Sequence, residues 1–214
     1  MGGGALGSAP LTGLGVLGGT FDPIHVGHLA VAEEAREALG LARVMFVPAG
    51  QPPHKVPGSV SRVGDRVAMV QLAIADNPAF ELSMIEVQRE GPSYTVDTLE
   101  ALARANPGAQ LHLILSAETF AELPTWHEPE RLFEAARMAV VPREGYPAPD
   151  PAWLARAFPG REDRVEYLGG PRFELSSTAL RARVAAGRSI RYLVPAAVEA
   201  YIADHDLYRR LPAQ

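Results

Sequence analysis

The chain has 214 residues, 47% hydrophobic and 21% charged, so it can bury a core of ordinary domain size and is not expected to be disordered. It contains no cysteine, which excludes a disulfide framework, a thiolate zinc site and a cysteine nucleophile. The net charge of −5 disfavours a long nucleic-acid interface but permits a nucleotide pocket, which needs only a few local cations.

The first residues, 1–13, are rich in glycine and lack the basic start and long apolar core of a signal peptide. We interpret them as a flexible leader. No apolar run approaches the ~20 residues that a membrane span needs. The sequence therefore predicts a cytoplasmic protein that contacts neither membrane nor nucleic acid.

Short apolar runs then alternate with segments of helical period, which is typical of βα units and a parallel sheet. Strands are predicted over 14–17, 44–47, 111–115 and 138–141, and a loop over 49–61. Helices are predicted over 26–39, 61–75, 93–105, 177–186 and 195–204, the first ended by Gly40 and the last opened by Pro195 at its first position.

The predicted fold is an α/β domain with a doubly wound, Rossmann-like parallel sheet over 14–175. A small C-terminal helical part of the same domain follows over 176–214. In such sheets ligands bind beyond the carboxyl ends of the strands, so the site is expected there.

One glycine pattern is misleading. Residues 13–18 spell Gly-x-Gly-x-x-Gly, the dinucleotide fingerprint, but that motif works only where the glycines follow a strand and open a helix. Here they surround the strand, and the acidic residue expected at the end of the second strand is replaced by Phe46-Val47-Pro48. Hydride transfer is therefore rejected.

Residues 18–28, Gly-Gly-Thr-Phe-Asp-Pro-Ile-His-Val-Gly-His, form what we call the histidine segment. Gly18 and Gly19 leave room for a phosphate or ribose close to the backbone. His25 and His28 share one face at the predicted helix start, beside free N–H groups and the positive end of the helix. This pattern suits a triphosphate. Two alternatives stay open: a helix cap with incidental histidines, and a metal site with Asp22 as third ligand.

A second candidate, the serine motif, lies at residues 174–181 (Glu-Leu-Ser-Ser-Thr-Ala-Leu-Arg). Ser177 is predicted as the helix N-cap, and Arg181 four residues later points to the same side of the helix start. A guanidinium fork beside free N–H groups suits a polyphosphate. A capped surface helix with a solvated arginine is the alternative.

The histidine segment resembles the signature of the class I-type adenylyltransferases, and the serine motif resembles their second ATP motif. The resemblance implies that His25, His28 and Arg181 contact the ATP phosphates and act in catalysis. It extends the ATP site to Gly18, Gly19, Thr20, Phe21, Ser177 and Thr178. It also implies Mg²⁺ carried by ATP and held mainly by phosphates and waters, with no metal site built from side chains.

Three further segments resemble the nicotinate mononucleotide branch of that family. Pro-Pro-His-Lys resembles its proline-rich loop, which implies that His54 and Lys55 lie near a phosphate. Pro-Ser-Tyr-Thr, with Tyr94 and Thr95, resembles the segment beside the nicotinate site. Leu-Pro-Thr-Trp resembles the loop whose tryptophan, here Trp126, stacks on the pyridine ring.

One position departs from the family pattern. Ser116-Ala117-Glu118 stands where the family usually has Gly-x-Asp. That aspartate is implied to contact the substrate near a ribose, so Glu118 is expected to keep the role with altered geometry. Taken singly, Ser93 is compatible with a helix cap and Trp126 with half-buried packing.

The resemblance implies transfer of the adenylyl group of ATP to nicotinic acid mononucleotide, in NAD biosynthesis. A sister transferase acting on phosphopantetheine or nicotinamide mononucleotide is the nearest alternative, and a non-catalytic nucleotide sensor is another. The sequence is compatible with a homo-oligomer and does not determine the oligomeric state.

Overall fold

The computed structural model describes residues 13–56, 58–147, 150–170, 172 and 174–209. In that part of the chain, six parallel strands form one sheet in the order β3-β2-β1-β4-β5-β6. The strands are β1 (Leu14–Gly19), β2 (Arg43–Pro48), β3 (Phe80–Leu82), β4 (Leu111–Ser116), β5 (Arg137–Val141) and β6 (Val165–Tyr167). The order reverses between β1 and β4, as in a doubly wound Rossmann-like sheet, so the predicted fold class is confirmed.

Helices cover both faces of this sheet. They are α1 (Val26–Ala38), α2 (Val63–Ile74), α3 (Thr95–Ala105), α4 (Ala117–Ala121), α5 (Pro129–Ala135), α6 (Pro151–Ala157), α7 (Ser177–Ala185) and α8 (Ala196–Asp204). Gly40, two residues after α1, has φ +58°, the left-handed conformation that commonly follows a helix end.

Alternation along each strand divides the apolar residues between two cores. In β1, Val16 packs with α3, α4 and α5 on one face, whereas Leu17 packs with α1, α2 and the C-terminal helices on the other. Strands buried on both faces consist of nearly continuous apolar residues, which explains why the central strands were recognisable.

Several expectations need correction. The strands β3 and β6 and the helices α4, α5 and α6 were not predicted, because three to seven residues are too few for a clear period. The first strand continues through Gly18 and Gly19 rather than ending before them. Pro195 is the N-cap of α8 and not its first helical residue, which is Ala196.

The leader predicted over 1–13 lies outside the described residues, apart from Gly13. Among the residues that are described, no helix is long and apolar enough to cross a membrane.

Candidate active site

A cavity of about 450 Å³ opens at the carboxyl ends of β1 and β4, where the sheet order reverses. Its lining includes these predicted site residues: Gly18, Gly19, Thr20, His25, His28, His54, Tyr94, Thr95, Glu118, Trp126 and Ser177. Four others do not line it: Phe21, Lys55, Thr178 and Arg181. The structure therefore brings residues predicted for ATP and for the acceptor into one cavity.

The two histidines form a fixed pair at the start of α1. His25 is the N-cap residue, and its backbone N–H donates to Nδ1 of His28 at 3.2 Å. The two rings stack with centroids 3.7 Å apart. Because Nδ1 of His28 accepts this bond, a neutral His28 carries its proton on Nε2, which is then its donor.

Both imidazoles are neutral at physiological pH in the free protein. Burial, reinforced by the Arg143 guanidinium, lowers the pKa of His25 from 6.5 to about 4. Burial, His25 and Arg143 together hold the pKa of His28 well below its usual value. The pair therefore offers N–H donors and not fixed positive charges, and nearby cations must supply the charge that a polyphosphate requires.

The other residues of the histidine segment shape the approach to this pair. A side chain on Gly18 would enter open space, whereas one on Gly19 would meet the ring of Phe21 at 3.0 Å. Phe21 is buried at φ +51° and contacts His28 edge to face, with centroids 5.1 Å apart. Phe21 thus packs against His28 and does not line the cavity. Its position gives no support to the expectation that it binds ATP directly.

Asp22 connects the histidine segment to two other parts of the chain. Its carboxylate accepts the Tyr208 hydroxyl at 2.6 Å and the Ser61 N–H at 3.1 Å, so both oxygens have protein donors. Its carbonyl accepts from Arg181 at 2.8 Å. Among the described residues, no three His, Cys, Asp or Glu side chains are grouped to hold a metal ion. We therefore interpret Asp22 as a structural anchor.

The serine motif begins α7, with one correction to the prediction. Ser176, not Ser177, is the N-cap, and its hydroxyl accepts the N–H of Ala179 at 3.2 Å. Ser177 is the first helical residue and donates its hydroxyl to the Pro23 carbonyl at 2.8 Å. The serines therefore hold the start of α7 against the histidine segment.

Arg181 takes part in the same junction. Besides its bond to Asp22, its guanidinium approaches the Thr178 hydroxyl at 3.3 Å. Arg181 and Thr178 therefore do not lie on the cavity wall, although the neighbouring Ser177 does.

The aromatic residues of the cavity pack on the other face of the sheet from the histidine pair. Tyr94 and Trp126 pack against the core that contains Val16, whereas His28 contacts Phe21 of the other core, and we call these two parts the aromatic end and the histidine end. Tyr94 precedes α3, Thr95 is the first residue of that helix, and Trp126 follows a short 3₁₀ turn. His127, which sequence reasoning missed, stacks on Tyr94 with ring centroids 4.2 Å apart. His54 lines the cavity, whereas the exposed Lys55 does not.

Glu118 and Arg143 form an ion pair on the cavity wall, with Nε to Oε2 at 3.3 Å. Glu118 also accepts the Tyr146 hydroxyl at 3.1 Å, and Arg143 donates to the Leu175 carbonyl at 3.0 Å. Ser116, which stands where the family has glycine, is the N-cap of α4. Sequence reasoning missed Arg143, although a cation just beyond the carboxyl end of a strand was a usable signal.

Arg66 is a third missed residue. It is only 1% exposed, and its guanidinium donates to the carbonyls of Thr20, Ala49 and Ser61 at 2.7 to 3.2 Å. Ala49 and Ser61 are the two ends of the proline-rich loop, and Thr20 belongs to the histidine segment. The signal was an arginine on the buried stripe of α2, together with Met69, Val70 and Ala73.

Known proteins resemble the chain over nearly its whole length. The cytidylyltransferase-like family model matches residues 16–183. A relative from Roseiflexus sp. (strain RS-1), named "Probable nicotinate-nucleotide adenylyltransferase", is 52% identical and covers 94% of this chain and 99% of its own. One of the same name from Thermomicrobium roseum is 47% identical, with 94% and 93% covered.

A solved structure supports the fold independently. The nicotinic acid mononucleotide adenylyltransferase of Plasmodium falciparum, complexed with NaAD, superimposes with a TM-score of 0.76. It covers 92% of this chain and 98% of its own at 16% sequence identity. At that identity the similarity concerns the arrangement of helices and strands.

Proposed function

The chain belongs to the nicotinate-nucleotide adenylyltransferase family, a branch of the cytidylyltransferase-like proteins, and from this we propose that it transfers the adenylyl group of ATP to nicotinic acid mononucleotide. The products are nicotinic acid adenine dinucleotide and pyrophosphate, and the reaction belongs to NAD biosynthesis. The observation that carries the proposal is one cavity with a stacked histidine pair at one end and Trp126 and Tyr94 at the other.

The ATP phosphates are assigned to the histidine end. His28 donates through Nε2. At the two helix starts the N–H groups of Val26 and Ala179 already have protein acceptors, so the phosphates are assigned to the remaining first-turn N–H groups, those of Gly27, Ser177 and Thr178. Arg181 and Arg143 supply positive charge beside these donors, with Ser177 and Thr178 at the start of α7. The two arginines are thus assigned the neutralisation of the negative phosphate charge, which neutral imidazoles cannot provide.

Catalysis on this assignment is positioning combined with charge stabilisation. A phosphate oxygen of the mononucleotide forms a bond to the α-phosphorus of ATP while the bond from that phosphorus to the leaving pyrophosphate breaks. The attacking phosphate is already an anion, so no general base is needed. Donors fixed before the reaction stabilise the growing charge on pyrophosphate without reorganisation.

Mg²⁺ is expected to arrive with ATP. The carboxylates near the phosphates already have partners, since Asp22 is bonded to Tyr208 and Ser61 and Glu118 is paired with Arg143. Such a site fits an ion held by phosphates and water, which would add positive charge to the leaving group.

The acceptor is assigned to the aromatic end. Trp126 offers a face for the pyridine ring, and the start of α3 offers free N–H groups and a positive dipole to its carboxylate. The N–H of Tyr94 donates to the Pro92 carbonyl at 3.1 Å, so Thr95 is the better donor of the two predicted residues. Glu118 is assigned to a ribose, and His54 with Lys55 to the acceptor phosphate.

The test offers ATP with nicotinic acid mononucleotide, nicotinamide mononucleotide and phosphopantetheine in parallel and measures pyrophosphate release. Hydrogen bonds to a charged group contribute roughly 1.5–3 kcal/mol each, so the nicotinate form should have a kcat/KM about ten- to a few hundredfold above the nicotinamide form. His28→Ala gives the background. Equal use of both pyridine nucleotides would remove the carboxylate-reading site, and preference for phosphopantetheine would overturn the acceptor.

The cytoplasmic location expected from the sequence stays part of this proposal. The oligomeric state is a separate question, which sedimentation of the purified protein would answer.

A further inference from the structure

Glu86 is a buried carboxylate on the wall of the cavity that the reaction above does not use. It lies in the turn between β3 and α3, is 6% exposed, and lines the same end as Ser93, Tyr94 and Trp126. Burial raises the pKa of its carboxyl group, so keeping a charge there is costly. A costly buried carboxylate at this position therefore suggests a function in the site.

Glu86 acts on the proline-rich loop through Ser93. The Ser93 hydroxyl accepts the N–H groups of Gly50 and Gln51 at 3.0 and 3.1 Å, which occupies both of its lone pairs. Its single hydrogen is then left to donate, and a hydrogen bond with Ser93 is one of the interactions that lower the pKa of the Glu86 carboxyl group against the effect of burial.

The backbone reinforces that link. The N–H of Ser93 donates to the Gln51 carbonyl at 2.9 Å, so the two segments are paired in both directions. A Cβ on Gly50 would lie 2.3 Å from the Glu86 carbonyl oxygen, so only glycine permits the loop to pass this close.

Glu86 also acts on the start of α3. Its Oε1 accepts the Thr98 hydroxyl at 2.7 Å, and Thr98 lies in the first turns of that helix. Arg89 completes the network by donating to the Tyr94 carbonyl at 3.2 Å and to the Thr98 hydroxyl at 3.1 Å. One carboxylate therefore connects the start of α3 to the loop after β2.

We propose that Glu86 is a positioning residue for the acceptor: through Ser93 and Thr98 it fixes the two segments that bear His54 and Thr95 at the distance that suits a pyridine mononucleotide. This inference rests on the proposed function, since it takes the aromatic end as the acceptor site. Among the described residues, the side-chain hydrogen bonds of Glu86 go to Thr98 and Ser93 and none goes to the histidine segment, so we expect its loss to act mainly on the acceptor.

The first experiment is Glu86→Gln in the full chain, with Glu90→Gln as matched control on an exposed residue four positions away. Glutamine keeps one oxygen acceptor and places an NH₂ group where the second oxygen stood. We expect the KM for nicotinic acid mononucleotide to rise on the order of tenfold, with the KM for ATP and the melting temperature close to wild type. Glu90→Gln should match the wild type in all three.

Two further variants keep the test decisive if Glu86→Gln does not fold. Ser93→Ala and Thr98→Val each remove one donor to the carboxylate, and each should raise the acceptor KM selectively. In the double variant Glu86→Gln/Ser93→Ala, the KM should rise little beyond the larger single effect, because both changes break one path. If the increases in acceptor KM of the two single variants multiply in the double variant, Glu86 and Ser93 act independently and the proposed link between them is wrong.

The two proposals fail in different ways. If the wild type does not use nicotinic acid mononucleotide at all, the proposed function fails. If the wild type does, but Glu86→Gln has an unchanged acceptor KM, or raises both substrate KM values equally with a lowered melting temperature, only the role of Glu86 fails.

Discussion

His25 and His28 show how burial decides what an imidazole can do. A protonated pair would repel, since the stacked rings lie 3.7 Å apart with the Arg143 guanidinium nearby. Burial therefore keeps both rings neutral in the folded protein. On the proposed function they act as hydrogen-bond donors of fixed direction, and the arginines are assigned the neutralisation of the phosphate charge.

This arrangement predicts a pH dependence of stability. The unfolded chain binds a proton on His25 near pH 6.5, whereas the folded protein binds it only near pH 4. The stabilisation is therefore complete above pH 6.5 and is lost as the pH falls toward 4, at a cost of about 3 kcal/mol for this group. Urea denaturation between pH 7 and 4.5 should show a smaller loss for His25→Asn than for wild type. The exposed His205→Asn variant is the control, and equal losses in all three would contradict the shifted pKa.

His28 carries the prediction for turnover. Its Nε2–H is fixed in direction by the bond to the His25 backbone, so its removal should cost transition-state stabilisation. We expect His28→Ala to lower kcat on the order of a hundredfold while the protein stays folded, as measured by pyrophosphate release and circular dichroism. His205→Ala should retain full activity. A folded His28→Ala variant with normal kcat would refute the assignment.

At the scale of elements, the sequence predicted the longer helices and the central strands, and missed the short elements that form only through tertiary contacts. The helices α1, α2, α3, α7 and α8 were located to within two residues at either end. In α2 and α3 the signal is a buried apolar stripe, whereas α7 buries only Leu180 and was recognised from its serine motif. The edge strands β3 and β6, of three residues each, have no pattern of their own and exist through pairing with β2 and β5. Ser177 was mistaken for the N-cap because both neighbouring serines satisfy the cap preference.

The residues of the candidate site divide in the same way, into those that belong to a continuous motif and those that are held by distant contacts. Residues carried by a continuous motif, such as His28 and Trp126, line the cavity. Arg66 and Glu86 were missed because their partners are backbone groups and hydroxyls that lie far away or between motifs. Spacing along the chain contains no information on such contacts.

Arg66 supports a prediction at this scale, because one side chain joins three segments. Arg66→Lys keeps the charge near Asp22 but loses the planar fork, leaving buried carbonyls short of a donor. We expect a loss of about 1–3 kcal/mol in the free energy of unfolding. The kcat/KM for both substrates should also fall, because the histidine segment and the proline-rich loop both lose a hydrogen-bond donor. Arg62→Lys, exposed at the N-cap of the same helix, is the control. If the two variants unfold at the same urea concentration, Arg66 does not hold the loops.

On the scale of the whole molecule, the last described residues return to the first strand. The segment after α8 brings Tyr208 to Asp22, which lies three residues beyond β1. The backbone of Leu193 accepts the N–H of Val26 at 3.1 Å, and α7 is joined to the same region through Ser177. The histidine segment is thus held by parts of the chain more than 150 residues away, so the C-terminal segments help to support the candidate active site.

Tyr208 provides the test of that frame. Its hydroxyl bonds to a carboxylate that is 2% exposed, so Tyr208→Phe leaves Asp22 buried with one partner fewer. An unsatisfied buried group costs about 1–3 kcal/mol, and the loosened histidine segment should lower kcat as well. Tyr201→Phe is the matched control, because its hydroxyl bonds at 3.0 Å to Asp65, a carboxylate that is only partly buried. Urea denaturation and pyrophosphate release should therefore show Tyr208→Phe losing both stability and turnover, and Tyr201→Phe losing under about 1 kcal/mol with normal turnover. Equal behaviour of the two variants would mean that the C-terminal residues merely cover the fold and do not hold the histidine segment in place.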